Sequence, residues 1–414
     1  MHLRFSAFSA IAVSAVLVLT SCSSGSEPGA APSASTVTVT TGPPEPTPAP
    51  PGPVVMTPVI GSVIAPPMPV ASTDGKTHLA YELVLTNTTE QVVTLTSLAA
   101  VSKGRTLLDL SGEGLAQWMR VIGNATTPTT TIGPAQTALV WLDVTVDDST
   151  GIPADLSHAV TVSLPQPQPP VTESTMSETI APTVVDNRKP VTIAPPVVGD
   201  NWVSANGCCD MTPHRMAVSP FNGQLWAPER YAIDFVQLSP DRRMFNGDKA
   251  DLLSYPFFGA DVHGVADGQV VSVIDSLPEQ IPGASPAVLP LEQYPGNRVV
   301  QDIGGGNYVM YAHLKTGSIR VKVGDKITTG EIVGSVGNTG NTDGPHLHFQ
   351  LMNTPDPLRS NGLPFVFDKF RLDSRAVAID TTTDTPVEMQ HGVSAGDQTY
   401  RMPLALDVMS YPAR

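Results

Sequence analysis

The chain has 414 residues, enough for two or three domains and a sizeable core. Hydrophobic residues make up 41% and charged residues 15%, so it reads as globular with a low charge density, and 41 prolines point to connectors or many turns. A formal net charge of −15 with no basic stripe argues against a nucleic-acid partner, because phosphate binding needs clustered Lys and Arg.

Residues 1–21 read as a leader. Arg4 supplies a positive charge, and Phe8 to Leu19 form an apolar core too short for a membrane span. Leu19-Thr20-Ser21-Cys22 resembles a bacterial lipobox. That resemblance implies cleavage before Cys22, lipidation of its thiol, and a chain held by lipid on the extracytoplasmic face of the cell membrane. Residues 22–54 are rich in Pro, Thr, Ser and Ala and include GPPEPTPAPPGP. They cannot bury enough apolar area to fold and are expected to form an extended stalk.

Residues 55–165 alternate with period two. Leu79, Tyr81, Leu83 and Leu85 share one face, as do Ala138, Val140, Leu142, Val144 and Val146, and then Val160, Val162 and Leu164. Short alternating strands separated by turn residues predict a β-sandwich with a structural or recognition role. Residues 166–199, with PQPQPP and IAPP, read as a Pro-rich linker. Residues 200–372 read as a second all-β domain, with strands over 269–274, 298–302, 308–314, 332–336 and 347–352. Residues 373–414 form a C-terminal tail that can pack back through MPLALDVMSYP. The fold class is therefore mostly β throughout.

The stretch GPHLHFQ, residues 344–350, carries the chemistry. On a strand, His346 and His348 face one side while Leu347 and Phe349 face the other, a usual way of presenting two imidazoles to Zn²⁺. His313 ends another predicted strand in YAHL, and Asp234 sits in the apolar segment YAIDF. A buried carboxylate needs a partner, and a cation is the simplest one. Asp234, YAHL and PHLHF, together with GNRVV at 296–300, VGD at 323–325 and GEIVG at 330–334, resemble the signature of lysostaphin/LytM-type zinc metallopeptidases. The resemblance covers about 227–363. It implies an antiparallel β-sheet groove, one zinc, and hydrolysis of peptidoglycan peptide bonds. It also implies Asp234 and His348 as zinc ligands, with His313 and His346 orienting water and steadying the tetrahedral intermediate. HExxH, the signature of helical zinc peptidases, does not occur.

One position departs from the pattern. The family places its first histidine ligand four residues before the aspartate, where this chain has Arg230, which cannot bind zinc. In one reading another residue supplies the ligand: His214 as the tentative third ligand, with Cys208, Cys209 or His263 in reserve. In the other, Arg230 pairs with Asp234 and the domain is a metal-free peptidoglycan-binding or hydrolase-regulating module, which leaves room for a protein regulator. A purely structural adhesin-like role would suit the first domain but ignores the histidines. The adjacent Cys208 and Cys209 could form a strained disulfide, bind metal as thiolates, or be two small buried residues. His78, His158 and His391 are expected at the surface. The long segment 275–295 is expected to wall the groove and to restrict which peptide enters.

Overall fold

The computed structural model describes residues 54–413 apart from 148, 285 and 287. The leader, Cys22 and the stalk lie outside the described residues. Strands dominate the described part of the chain.

The first half is a two-sheet sandwich. One sheet runs Val59–Val63, Thr77–Asn87, Thr137–Val146, Met119–Val121, with Val70–Ala71 beside Thr77–Asn87. The other runs Thr175–Val184, Asp155–Ser163, Val93–Ser102, Arg105–Ser111, with Thr131–Ile132 beside Val93–Ser102. The expected alternation sets the core: Leu79, Tyr81, Leu83, Leu85, Val140, Leu142 and Val144 are fully buried between the sheets. Each such side chain contributes roughly 1.5–3 kcal/mol of transfer free energy.

One expectation about connectors is corrected. The supposed linker 166–199 contributes the strand Thr175–Val184, paired antiparallel to Asp155–Ser163. It also contributes Val191–Ile193, which pairs in parallel with Phe365–Phe367. Composition hid a local alternation in which Glu178 and Ile180 turn inward. The tail packs back onto the second half, where Asp407–Tyr411 lies between Gly199–Ala205 and Phe370–Arg375.

The second half is built on a ten-stranded sheet. From one edge its order is Lys326–Ile327, Gly268–Ile274, Arg298–Asp302, Tyr308–Ala312, Leu347–Met352, Ile233–Gln237, Gly199–Ala205, Asp407–Tyr411, Phe370–Arg375, Gly396–Gln398. Phe235, Phe349, Phe365, Phe367 and Tyr411 pack edge to face or tilted on its core side. Because side chains alternate, His348 and Gln350 fall on the opposite face from Phe349 and Leu351.

The halves are not beads on a string, since Val55–Arg414 form one compact unit. Strand Thr77–Asn87 is buried on both faces over its first half. Its inward face meets the partner sheet, and its outward face is covered by the second half, where Ala80 packs with Cys208, Cys209, Tyr231, Val366 and Met402. This cover corrects the surface assignment of His78, which is buried and bonded to Asp143 (2.8 Å) and Asp74 (3.2 Å). His158 is also buried, between the Tyr81 hydroxyl (2.8 Å) and the Ala181 carbonyl (3.1 Å), while His391 is exposed as expected. Cys208 and Cys209 are joined in a buried disulfide, so neither is available as a thiolate ligand.

Candidate metal centre

The register of four adjacent strands assembles the site. Asp234 lies opposite His348, His348 opposite Ala312, and Ala205 opposite Asp234. Asn206, Asp234, His348 and His313 therefore form a row across the sheet, the outer two just past their strand ends. Asn206 (φ +54°) and His313 (φ +56°) both adopt left-handed backbone, uncommon for residues with a Cβ. Such conformations cost on the order of 1–3 kcal/mol and gather at functional sites.

His214 arrives from outside the sheet. Thr212 caps the four-residue helix Pro213–Met216 by accepting from the Arg215 N–H, and Pro213 occupies the first turn, where its missing N–H does no harm. The same Thr212 hydroxyl donates to the Asn206 carbonyl (3.0 Å), tying this helix to the end of strand Gly199–Ala205. His214 thereby meets Asp234, and its ring packs edge-on against His348 with centroids 4.7 Å apart.

The donor geometry is specific. His214 Nε2 lies 3.2 Å, and His348 Nδ1 3.0 Å, from Asp234 Oδ1. Each histidine has its other nitrogen engaged: His214 Nδ1–H donates to the Ala232 carbonyl (3.2 Å), and His348 Nε2–H donates to Gln350 Oε1 (2.8 Å). Asp234 Oδ2 accepts from Asn206 Nδ2 (2.8 Å). With the outer nitrogens protonated, three lone-pair atoms face one another, and such a set needs positive charge between its members, supplied by a proton or a metal ion. Ligand atoms of a tetrahedral zinc, bonded at about 2.0–2.1 Å, sit about 3.3 Å apart. The observed contacts fit that spacing, and outer partners that fix each ring are the usual accompaniment of histidine ligands.

His346 and His313 flank this set. His346 Nε2 is 3.4 Å from Asp234 Oδ1, with its Nδ1–H donating to the Gly344 carbonyl (2.9 Å). His313 Nδ1–H donates to the Thr339 carbonyl (2.6 Å), and its ring lies 4.6 Å from that of His346. Burial alone would raise the Asp234 carboxyl, but the charges of His214 and His346 and the hydrogen bonds of His214 and His348 hold it well below the usual carboxylate range. Burial would lower His214, but the Asp234 charge and hydrogen bond push it up to about 9. Burial, with His346 and His348 as neighbours, drives His313 well below the ordinary histidine range, so it stays neutral.

The cluster lies at the floor of a groove of about 540 Å³, bounded in part by Pro286, Tyr294 and Pro295 of the 275–295 segment. That segment is pinned by Glu279, which accepts the N–H groups of Thr316 and Asn338 (both 2.7 Å). His263 donates to the Gly330 carbonyl (3.0 Å) and does not line the groove.

Arg230 does not lie across Asp234. Its guanidinium pairs with Glu82 of the sandwich through Nε (2.9 Å to Oε2) and Nη2, which corrects the reading of an Arg230–Asp234 pair replacing the metal. Residues 230–232 precede the strand and turn, so Arg230 and Asp234 do not share a strand face. Sequence reasoning missed three residues that shape the site. Gln350 could have been found, being two residues beyond His348 and so on the same face, and Asn206-Gly207 is a turn signal. Glu82 carried no local signal.

A groove on an antiparallel sheet, with a carboxylate and four imidazoles at its floor that could hold a metal ion, is the class of site that the fold and the residues define. Residues 254–360 match the model of peptidase family M23, and the chain carries an M23 peptidase domain. Over 67 residues it is 42% identical to the peptidoglycan DD-endopeptidase ShyA of Vibrio cholerae, covering 16% of this chain and 15% of that protein. Over 59 residues it is 42% identical to endolysin 2638A of a Staphylococcus phage, covering 14% and 12%. The chain thus spans only a small part of the curated relatives' lengths. Among solved structures, the catalytic domain of lysostaphin from Staphylococcus simulans aligns over 39% of this chain and 88% of that one, at 20% identity and a TM-score of 0.22.

Proposed function

We propose that this protein is a zinc-dependent endopeptidase that cuts peptide bonds of peptidoglycan. The observation that carries the reading is the convergence of His214 Nε2, Asp234 Oδ1 and His348 Nδ1, each ring held by an acceptor on its far side. It answers the difficulty raised by Arg230, because a histidine from a different segment stands beside the aspartate. Zinc held there would polarise a scissile carbonyl and acidify a water. His313, neutral and with Nδ1–H committed to Thr339, keeps the Nε2 lone pair to accept a proton and later return it to the leaving amine. His346, oriented by its Nδ1–H bond to Gly344, would donate from Nε2 to the oxyanion of the tetrahedral intermediate in its doubly protonated form.

The name of one relative, the peptidoglycan DD-endopeptidase ShyA, supports peptidoglycan peptide as substrate. The leader and Leu19-Thr20-Ser21-Cys22 support an extracytoplasmic position with a lipid anchor at Cys22. The test is the full chain, loaded with zinc and incubated with cell-wall sacculi. New amino termini that vanish on chelation are expected. Binding without release, unchanged by chelator, would turn the reading into that of a docking protein.

A further inference from the structure

We infer that Glu82 of the sandwich is a positioning residue for the metal centre, so that both halves of the chain build it. The inference rests on His214 and Asp234 being metal donors. Glu82 is fully buried on the face of Thr77–Asn87 that meets the second half. Its carboxylate accepts from Arg230 Nε (3.1 Å to Oε1, 2.9 Å to Oε2) and from Arg230 Nη2. Arg215 Nη1 lies 3.3 Å from Glu82 Oε1, and Arg215 Nη2 donates to the Leu142 carbonyl (3.1 Å), another sandwich atom. Both arginines are buried, at 1% and 3% exposure, and among the described residues the partners of their guanidinium groups, Glu82 and the Leu142 carbonyl, belong to the sandwich.

The placement of these arginines is what matters. Arg215 follows His214 directly, and Arg230 lies in the turn just before the strand Ile233–Gln237 that carries Asp234. His214 stands on a four-residue helix with no strand pairing of its own. One carboxylate therefore draws together the two segments whose donor atoms must meet within about 3 Å. Two guanidinium groups around one carboxylate leave a positive charge in excess. Neutralising Glu82 converts a shared attraction into repulsion between buried like charges, a strongly unfavourable change in low dielectric. The arms carrying His214 and Asp234 would then separate, and the donor set would open.

The test uses the full chain carrying Glu82→Gln, an isosteric change that removes the charge and turns one acceptor oxygen into a donor. Zinc affinity is measured by competition with a chromophoric chelator, the site's symmetry by the visible bands of the Co²⁺-loaded protein, and folding by circular dichroism. A tenfold or greater loss of zinc affinity with altered Co²⁺ bands in a folded protein is expected. Glu82→Asp should restore much of the affinity, and Glu178→Gln, another buried carboxylate far from the centre, should leave it unchanged. Wild-type affinity in folded Glu82→Gln overturns the proposal. Should that variant not fold, Glu82→Leu with Arg215→Met and Arg230→Met removes all three charges at similar volume. Weakened zinc binding in it supports the proposal, and wild-type binding overturns it. A wild type that binds no zinc sinks this inference and the peptidase reading together. One that binds zinc but releases nothing from sacculi sinks only the latter.

Discussion

A histidine that serves a metal must offer one nitrogen and commit the other, and the commitments differ here. His214 gives its outer N–H to a main-chain carbonyl, whereas His348 gives its to the side chain of Gln350. His214→Ala should therefore reduce bound zinc from about one per chain to near none by elemental analysis. Gln350→Leu should keep the metal but weaken it about 10–100-fold, the usual loss when an outer partner is removed. Equal zinc affinity in Gln350→Leu and wild type would deny Gln350 that role. A second residue-scale prediction concerns His78. Burial would lower it, but hydrogen bonds to Asp143 and Asp74 raise it to about 9. Since the folded value lies above the unfolded one of about 6.5, its contribution is complete below pH 6.5 and lost as pH rises through 9, amounting to at most about 3 kcal/mol. Denaturation midpoints should fall between pH 7 and 9.5 in the wild type, and fall distinctly less in His78→Asn. At this scale the sequence was unevenly readable. Asp234, His313, His346 and His348 stand in short motifs, so local reading found them, and His214 was reachable as the nearest upstream imidazole. The Arg230–Glu82 pair spans 148 positions, and period-two logic assigns Glu82 to the solvent side of its strand. Nothing local says that another sheet covers it.

Among the elements, the strands were legible where alternation was strong: Arg298–Asp302 and Leu347–Met352 fall where they were expected. Thr175–Val184 was not, because proline content averaged over a window conceals a strand that itself carries Pro182, placed where its register shifts between Ile180 and Thr183. The segment 275–295 is anchored at its start, where Asp275 accepts from the Gly317 N–H (2.7 Å), and reaches the groove with Pro286 and Tyr294. Removing residues 282–290 should leave zinc content unchanged, because no donor atom lies in them. Relative cleavage of cell-wall peptides of different stem sequence should change several-fold in a chromatographic assay. Identical product profiles would deny the segment any part in selection.

For the molecule as a whole, the interface between sandwich and sheet combines an apolar patch, including Ala80, Tyr231, Val366 and Met402, with the buried charges of Glu82, Arg215 and Arg230. A chain reduced to residues 200–414 should fold poorly, since two guanidinium groups lose their carboxylate and the patch meets water. Its thermal midpoint should lie well below that of the full chain, at about 2–4 °C per kcal/mol lost, and equal midpoints would mean that the interface contributes no stability. The order of strands carries a consequence for biosynthesis. Asp407–Tyr411 is wedged between Gly199–Ala205 and Phe370–Arg375, so the latter cannot join the sheet until residue 411 has left the ribosome. The finished sheet is thus a late event, and a nascent chain arrested some tens of residues earlier would still show an open seam to any chaperone or protease that tests it.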